Sequence, residues 1–435
     1  MRAQRDLDLE FAFSSGRSGS GPATWGQHAI WDVVRNLGAD AARYNVCGGG
    51  AVEPGLPAAR IVKALQELFP LNDSLRTTLH GDDEGRLVQQ VHDSGSAVLV
   101  VRRCEAEAVE DEAGALLARL AATPFDSEHE WPARFGAVES GGLVRHMVFV
   151  LSHTAVDAWG LRHLIEDMSA LSHGGASGRQ LRQRRSDRLQ PLEEAQYQAS
   201  ERGRRQDAAA RRHWRGKLDL APRHMFRPAA EPDPTDVAVG AQSKFPNAAL
   251  DSPALAAALH RVSTVHAVSS ASVLLAAASA MAARLSGSAD AVFQVVVNNR
   301  FLPGLQGAVS TVAQEGIFHL PDAADRFPQL LRRAFGSSLS TYRNAYYRKA
   351  SLEQDMAQLR GRQDGLCDLT CFFNDTRGVK PGRAGAAGPP ADNASIEKLR
   401  PRTTLRWPVE FEPRRNVSFA LDVLDGPGSA ALSMT

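Results

Sequence analysis

The sequence predicts an α/β fold, a mixed α+β arrangement built in two halves. Three observations predict it. At 435 residues the chain is longer than one compact core normally holds, and two domains of about 200 residues each are the natural division. Amphipathic helical patterns alternate with short continuous apolar runs of strand length in both halves. The clearest case is Leu143 to Leu171. There an apolar run (Leu143 to Leu151) meets a polar loop, and Leu161, Leu164, Ile165 and Met168 then recur at i, i+3, i+4 and i+7. The second half repeats this theme of amphipathic helix, buried strand and polar strand end, too weakly to establish an internal repeat.

Taken in order, residues 1–22, with Ser and Gly concentrated from Ser14 to Pro22, read as a flexible lead-in. The first half then covers 23–175. Trp31 and Val34 mark the buried face of a short helix, and Asn45-Val46-Cys47 precedes a Gly-rich turn. Pro57 opens a helix carrying Ile61, Leu65, Leu68 and Phe69, since proline suits a first turn. Leu75 to Leu79 and Leu87 to Val91 read as strands around a turn at residues 81–85, and Val98 to Val101 as another. A helix over Glu110 to Ala121 stops before Pro124. Residues 176–235 form a linker and bridging segment, with a polar helix over Leu192 to Leu218 and a Pro-, Ala- and charge-rich stretch from Pro222 to Pro234. The second half, 236–435, holds a helix from Pro253 through His266 and an Ala-rich helix from Ser270 to Leu285. A buried strand over Ala291 to Val297 ends at Asn298-Asn299-Arg300, and a loop runs on to Gly316. Ala324 to Leu339 is helical with Phe327, Leu331 and Phe335 on one face. A strand over Leu369 to Phe373 precedes a low-complexity mobile loop, Gly378 to Pro390, and the last strands lie near Val417 to Val423 and Ala430 to Met434.

Composition narrows the function classes. An apolar share of 43% suits a soluble globular protein, expected as a monomer, and a net charge of +1 gives no global field for nucleic acid or anionic membrane. The arginines at 179, 182, 184, 185 and 188 are local and read as a solvated surface. No run reaches the roughly 18 apolar residues of a membrane span. The charged start, Met1 to Asp6, lacks the apolar core of a signal peptide. The four cysteines are no disulfide framework. Cys367 and Cys371 lack redox or zinc spacing and read as buried thiols. A cytoplasmic protein is expected.

Five features in order over much of the chain carry a resemblance: Thr24-Trp25-Gly26-Gln27-His28-Ala29-Ile30-Trp31; Leu75-Arg76-Thr77-Thr78-Leu79; Ser152-His153-Thr154-Ala155-Val156-Asp157-Ala158; Leu274 through Asn299-Arg300 with Gln314 and Gly316 beyond; and Phe372-Phe373-Asn374-Asp375. With Pro124-Phe125-Asp126 and Pro132-Ala133-Arg134 leading into the third, the sequence resembles the condensation domains of nonribosomal peptide synthetases, here as a free-standing protein. The resemblance implies two chloramphenicol-acetyltransferase-like halves in a V-shaped pseudo-dimer with a central tunnel. It also implies no permanently bound cofactor. The phosphopantetheine arm of a carrier protein would deliver an acyl or aminoacyl thioester, and an amine acceptor would enter from the other side. Two departures stand in the core motif H-H-x-x-x-D-G: the first histidine is Ser152 and the glycine is Ala158, with Gly160 following only after Trp159.

The chemistry implied is amide formation, or ester formation with a hydroxyl acceptor. A histidine can take a proton near neutral pH or hydrogen-bond the attacking nitrogen, and His153 is assigned one or both roles; a satisfied core histidine is the plain alternative. Asp157 reads as a buried carboxylate holding the loop through an ion pair, with Arg134 and Arg76 as partners. The residues expected to line the tunnel are Ser152, Ala158, Trp159, Gly160, Asn299, Arg300, Gln314 and Asn374, with strand-end caps as the alternative for the last four. Trp159 reads as a packing anchor. The spacing of His146, His153 and His163 offers too few ligands for a metal, so none is expected. Two other functions stay open: a catalytically degenerate domain that recruits a partner protein, which Ser152 and Ala158 favour, and an acyl-CoA-dependent acyltransferase, against which no D-F-G-W-G-like segment is found.

Overall fold

The computed structural model describes residues 6–82, 84–184, 186–222, 225–226, 247–360, 369–378, 390–407, 417–425 and 430–434. The chain forms two compact units, Met1–Arg204 with Asn298–Ala313, and Arg205–Val297 with Gln314–Thr435. The division expected at 175 therefore falls inside the first unit, and a segment following the strand at Ala291 returns to that unit.

The first unit runs β1 (Leu7–Ser14), β2 (Gly19–Pro22), α1 (Trp25–Leu37), a 3-10 turn (Gly38–Tyr44), β3 (Val46–Leu56), α2 (Ala58–Leu71), a second 3-10 turn (Asp73–Arg76), β4 (Thr77–Gly81), β5 (Leu87–Val91), β6 (Ser94–Arg103), α3 (Val109–Ala121), β7 (Ala133–Ser140), β8 (Leu143–Leu151), α4 (Ala158–Ser172), α5 (Gly178–Arg184) and α6 (Pro191–Ala199). Its strands form a five-stranded sheet, β1-β6-β7-β8-β3, and a three-stranded sheet, β2-β5-β4. Helix α2 buries Ile61, Leu65, Leu68 and Phe69, the face its spacing predicts. The apolar alternation of β4 and β5 yields the expected antiparallel hairpin, with Leu79 opposite Gln89.

Two expectations for this unit are corrected. Residues 7–14 and 19–22 are strands rather than a flexible lead-in. Phe11 and Phe13 are buried, and the Phe13 ring stacks on Phe69 at 4.5 Å, an apolar anchor that outweighs the Ser/Gly composition next to it. The glycines after Cys47 lie within β3 rather than in a turn, because Val46 to Ala51 are paired residue by residue with β8. In α1 the buried positions are Gly26, Gln27 and Ala29, while Trp31 and Val34 are only half-buried.

The second unit holds most of α7 (Glu201–Leu218), then β9 (Ala248–Ser252), α8 (Pro253–His266), α9 (Ser270–Ser286), β10 (Ala291–Val297), β11 (Gln314–Leu320), α10 (Phe327–Arg343), α11 (Lys349–Arg360), β12 (Cys371–Asp375), α12 (Asn393–Leu399), β13 (Thr404–Arg406), β14 (Phe419–Asp425) and β15 (Ala430–Met434). A seven-stranded sheet runs β11-β10-β12-β14-β15-β9-β13. Its core includes Leu275, Phe293, Phe318, Leu331 and Phe373.

Four readings change here. The single polar helix expected over 192–218 is α6 and α7, separated at Ser200, which is extended (ψ 165) and accepts the Gly203 N–H on its Oγ at 3.2 Å. A residue that caps the next helix ends the previous one. Gln314 and Gly316 lie on β11, not in a loop. On α10 the buried face is Leu330, Leu331, Ala334, Ser338 and Thr341, and Phe327 is 38% exposed. Arg188 is not surface: it is 7% exposed, and in the first unit it donates to Asp167 (3.2 Å) and Asn72 (2.9 Å). Cys371 is buried; Cys367, residues 227–234 of the expected linker and 379–389 of the expected mobile loop lie outside the described residues.

Candidate active site

Strand β8 runs between β3 and β7, with Leu151 opposite both Val46 and Ala133. Its ladder ends there, and Ser152 to Asp157 turn the chain into α4. The Ser152 N–H donates to the Pro132 carbonyl (2.9 Å), and the Ser152 carbonyl accepts from Ala155 (3.0 Å) and Val156 (3.3 Å). The turn thus satisfies its own backbone and keeps Ala155 and Val156 buried. His153 is half-buried at the apex. Its Nδ1 is buried with no hydrogen-bond partner among the described residues.

Asp157 is 2% exposed and caps α4, accepting the Gly160 N–H at 2.8 Å. Its other partners come from the returning segment 298–313. Arg300 donates Nη1 to Oδ2 (2.9 Å) and pairs Nη2 with Oδ1 (2.8 Å), and the Val312 (3.0 Å) and Ala313 (2.9 Å) N–H groups donate to Oδ2. Arg300 in turn donates to the Ala308 (3.0 Å) and Ser310 (3.1 Å) carbonyls. Burial alone would push the Asp157 carboxyl up. The Arg300 charge and hydrogen bond, with the Gly160 and Val312 N–H groups, outweigh that and hold it below the ordinary carboxylate range. This corrects the expected partners. Arg134 instead donates to the carbonyls of Leu120, Thr123 and Pro124, each at 2.9 Å, closing the end of α3, with its guanidinium 4.0 Å over Phe125. Arg76 is fully buried and bonded to Asp73 and to the Arg17 and His92 carbonyls.

The sign of the Asp157 shift fixes a pH dependence. A depressed folded-state pKa contributes stability that is fully present above the unfolded value of about 4. That stability is lost as pH falls through the folded value. Melting temperature measured from pH 7 to pH 3 should fall on the acid side, with a shallower fall in Asp157→Asn.

Other predicted residues divide by unit. In the first, Asn299 takes a positive φ of 53° and donates to the Val312 carbonyl at 2.8 Å, closing the loop that carries Arg300. Ser152 Oγ pairs with Thr154 Oγ1 at 2.8 Å, and both residues are buried. Ala158 and Trp159 are half-buried, with the Arg162 guanidinium 5.9 Å from the Trp159 ring. Gly160 has to be glycine: a Cβ there would stand 2.5 Å from Val156 and 3.0 Å from the Ser310 carbonyl. In the second unit, Gln314 donates to the Tyr347 carbonyl (2.9 Å) and accepts its N–H (3.1 Å), and Asn374 donates to Asp422 (3.1 Å).

The first motif also contributes here. A Cβ on Gly26 would fall 1.9 Å from the Thr311 carbonyl oxygen, in the segment that supplies the Asp157 donors. Gly26→Ala therefore sets a methyl group against a backbone carbonyl, which cannot swing aside as a side chain can. It is expected to destabilise by about 1–3 kcal/mol, read as a lower urea midpoint with an unchanged m-value.

Sequence reasoning missed the Val312 and Ala313 donors, the Asp167–Arg188–Asn72 cluster and Tyr44, whose ring lies 5.7 Å from that of His153. Asp167 carried a signal: it falls within the apolar face of α4, between Leu164 and Met168, and such a charge is seldom buried unpaired.

Comparisons with known proteins bear on this geometry. The family model for the condensation domain matches residues 21–380. The chain is 31% identical over 153 residues to a linear gramicidin synthase of Brevibacillus parabrevis, covering 34% of this chain and 3% of that protein. It is 27% identical over 301 residues to chondramide synthase cmdD of Chondromyces crocatus, covering 66% of this chain and 7% of that one. It thus spans only a small fraction of the length of these relatives. Its structure is similar to that of the SgcC5 protein from Streptomyces globisporus, with a TM-score of 0.65 at 16% identity over 95% of this chain and 92% of that one, a likeness of fold.

Proposed function

The chain belongs to the condensation-domain family, and from that premise we propose that it joins a carrier-bound acyl or aminoacyl thioester to an amine, in nonribosomal peptide or related specialised-metabolite assembly. Condensation domains are acyl-transferring enzymes of a chloramphenicol-acetyltransferase-like fold that form amide or ester bonds. The strongest support for the proposal is a half-buried histidine at a strand end, on a loop whose buried carboxylate is bound by an arginine and three backbone N–H groups.

In the proposed step the amine nitrogen attacks the thioester carbonyl carbon. The tetrahedral intermediate expels the sulfur, which leaves as the thiol of the phosphopantetheine arm once the amine proton is transferred. His153 Nε2 either accepts that proton or hydrogen-bonds the nitrogen to hold it on line. Asp157 is assigned the positioning of the loop: the Arg300 guanidinium and the Gly160, Val312 and Ala313 N–H groups leave it no spare capacity as a base. The arm is a substrate carrier rather than a resident cofactor.

The Ser152 and Ala158 departures favour a second reading, a domain that recruits a partner without turning over. The deciding experiment incubates the protein with acyl and aminoacyl groups, loaded on carrier-protein phosphopantetheine or on coenzyme A, and with amine or alcohol acceptors, and scores products by mass spectrometry. Amide from the carrier thioester, lost in His153→Ala, supports the proposal. Product from coenzyme A thioesters alone would reassign the donor. Carrier binding without product from any pair would favour recruitment.

A further inference from the structure

The register of one strand pair carries an inference about how His153 is held. Strands β3 and β8 run antiparallel with Val46 opposite Leu151 and Cys47 opposite Val150. Continued two residues beyond the end of β8, that register sets Tyr44 opposite His153, where side chains of an antiparallel pair approach each other. The rings meet there, with centroids 5.7 Å apart and planes tilted by 31°. Tyr44 closes the 3-10 turn Gly38–Tyr44 and is 37% exposed.

A histidine that handles a proton at one ring nitrogen usually has its orientation fixed by a hydrogen bond at the other. His153 has no such bond among the described residues: its Nδ1 is buried and unpartnered. Asp157, the nearby carboxylate, is committed to Arg300 and to backbone N–H groups. It fixes the loop backbone and leaves the side-chain torsions of His153 unset, so the ring must be oriented by packing. Resting on the role proposed for His153 above, we infer that Tyr44 is a positioning residue: its ring holds the imidazole in the orientation that role requires. The contact with His153 is ring on ring, so phenylalanine, which keeps the ring, should hold the imidazole in its place.

The test uses the whole chain labelled with 13C at the histidine Cε1, the His153 signal being assigned by its absence in His153→Ala. Relaxation of that signal reports ring order without any substrate. Tyr44→Phe should keep wild-type order. Tyr44→Ala and Tyr44→Leu should lose it and shift the signal. With a thioester and amine pair that the wild type turns over, Tyr44→Phe should stay within about twofold. The Ala and Leu variants should lose about 10- to 100-fold in kcat with KM little changed. If Tyr44→Ala fails to fold, the contrast between Leu and Phe decides. Wild-type ring order in the Ala or Leu variant would overturn the inference. Turnover lost in His153→Ala but intact in those variants would overturn it alone. Turnover surviving in His153→Ala would instead remove the catalytic role of His153.

Discussion

Arg300→Met is expected to destabilise the protein by about 3–5 kcal/mol, the cost of leaving a buried partner charge uncompensated. The size follows from the burial of both groups: Asp157 is 2% exposed and Arg300 7%, so water cannot replace the lost guanidinium. The substitution also frees the Ala308 and Ser310 carbonyls that Arg300 binds, loosening the segment from which Val312 and Ala313 donate to Asp157. Lysine should not rescue, because a single ammonium cannot reproduce the fork that meets two carboxylate oxygens and three carbonyls. Asp157→Asn should also destabilise. The double variant should cost less than the sum of the two, with a coupling of about 0.5–3 kcal/mol. Urea unfolding of the four proteins measures both quantities. Additive effects would mean that the pair does not act as a unit.

This pair also shows where sequence reading stops. His153, Asp157 and the strand–loop–helix around them are legible because the apolar run, the polar turn and the helical spacing are local patterns. Arg300 stands out in the sequence too, but only as a lining residue. Its partner lies 143 positions away, and no local periodicity reports a contact across that distance, so arginines 76 and 134 look like the partners in its place. The same limit explains β1 and β3. Phe11 is held in the core by residues far along the chain, and the glycines of β3 are paired by β8, so tertiary pairing overrides a Ser/Gly composition that reads locally as loop. On α10 the apolar spacing is right in kind but displaced: Ser338 and Thr341 are buried, with Thr341 bonded to the Ile317 carbonyl at 2.9 Å. Hydrogen-bonded small polar residues of that kind are invisible to a pattern of apolar residues. Tyr44 needs the β3–β8 register, which exists only once the two strands are paired.

The central claim is that His153 does the work and that its surroundings present it. The most direct measurement is the rate of amide formation by His153→Ala beside the wild type, on one carrier-bound thioester and one amine, with the melting temperatures of the two proteins compared in the same buffer. Loss of a proton-handling or nitrogen-positioning group should lower kcat by about 10²- to 10⁴-fold. The melting temperature should stay close to that of the wild type, because the buried Nδ1 of His153 has no hydrogen bond among the described residues to lose. Equal rates from the two proteins would contradict the account.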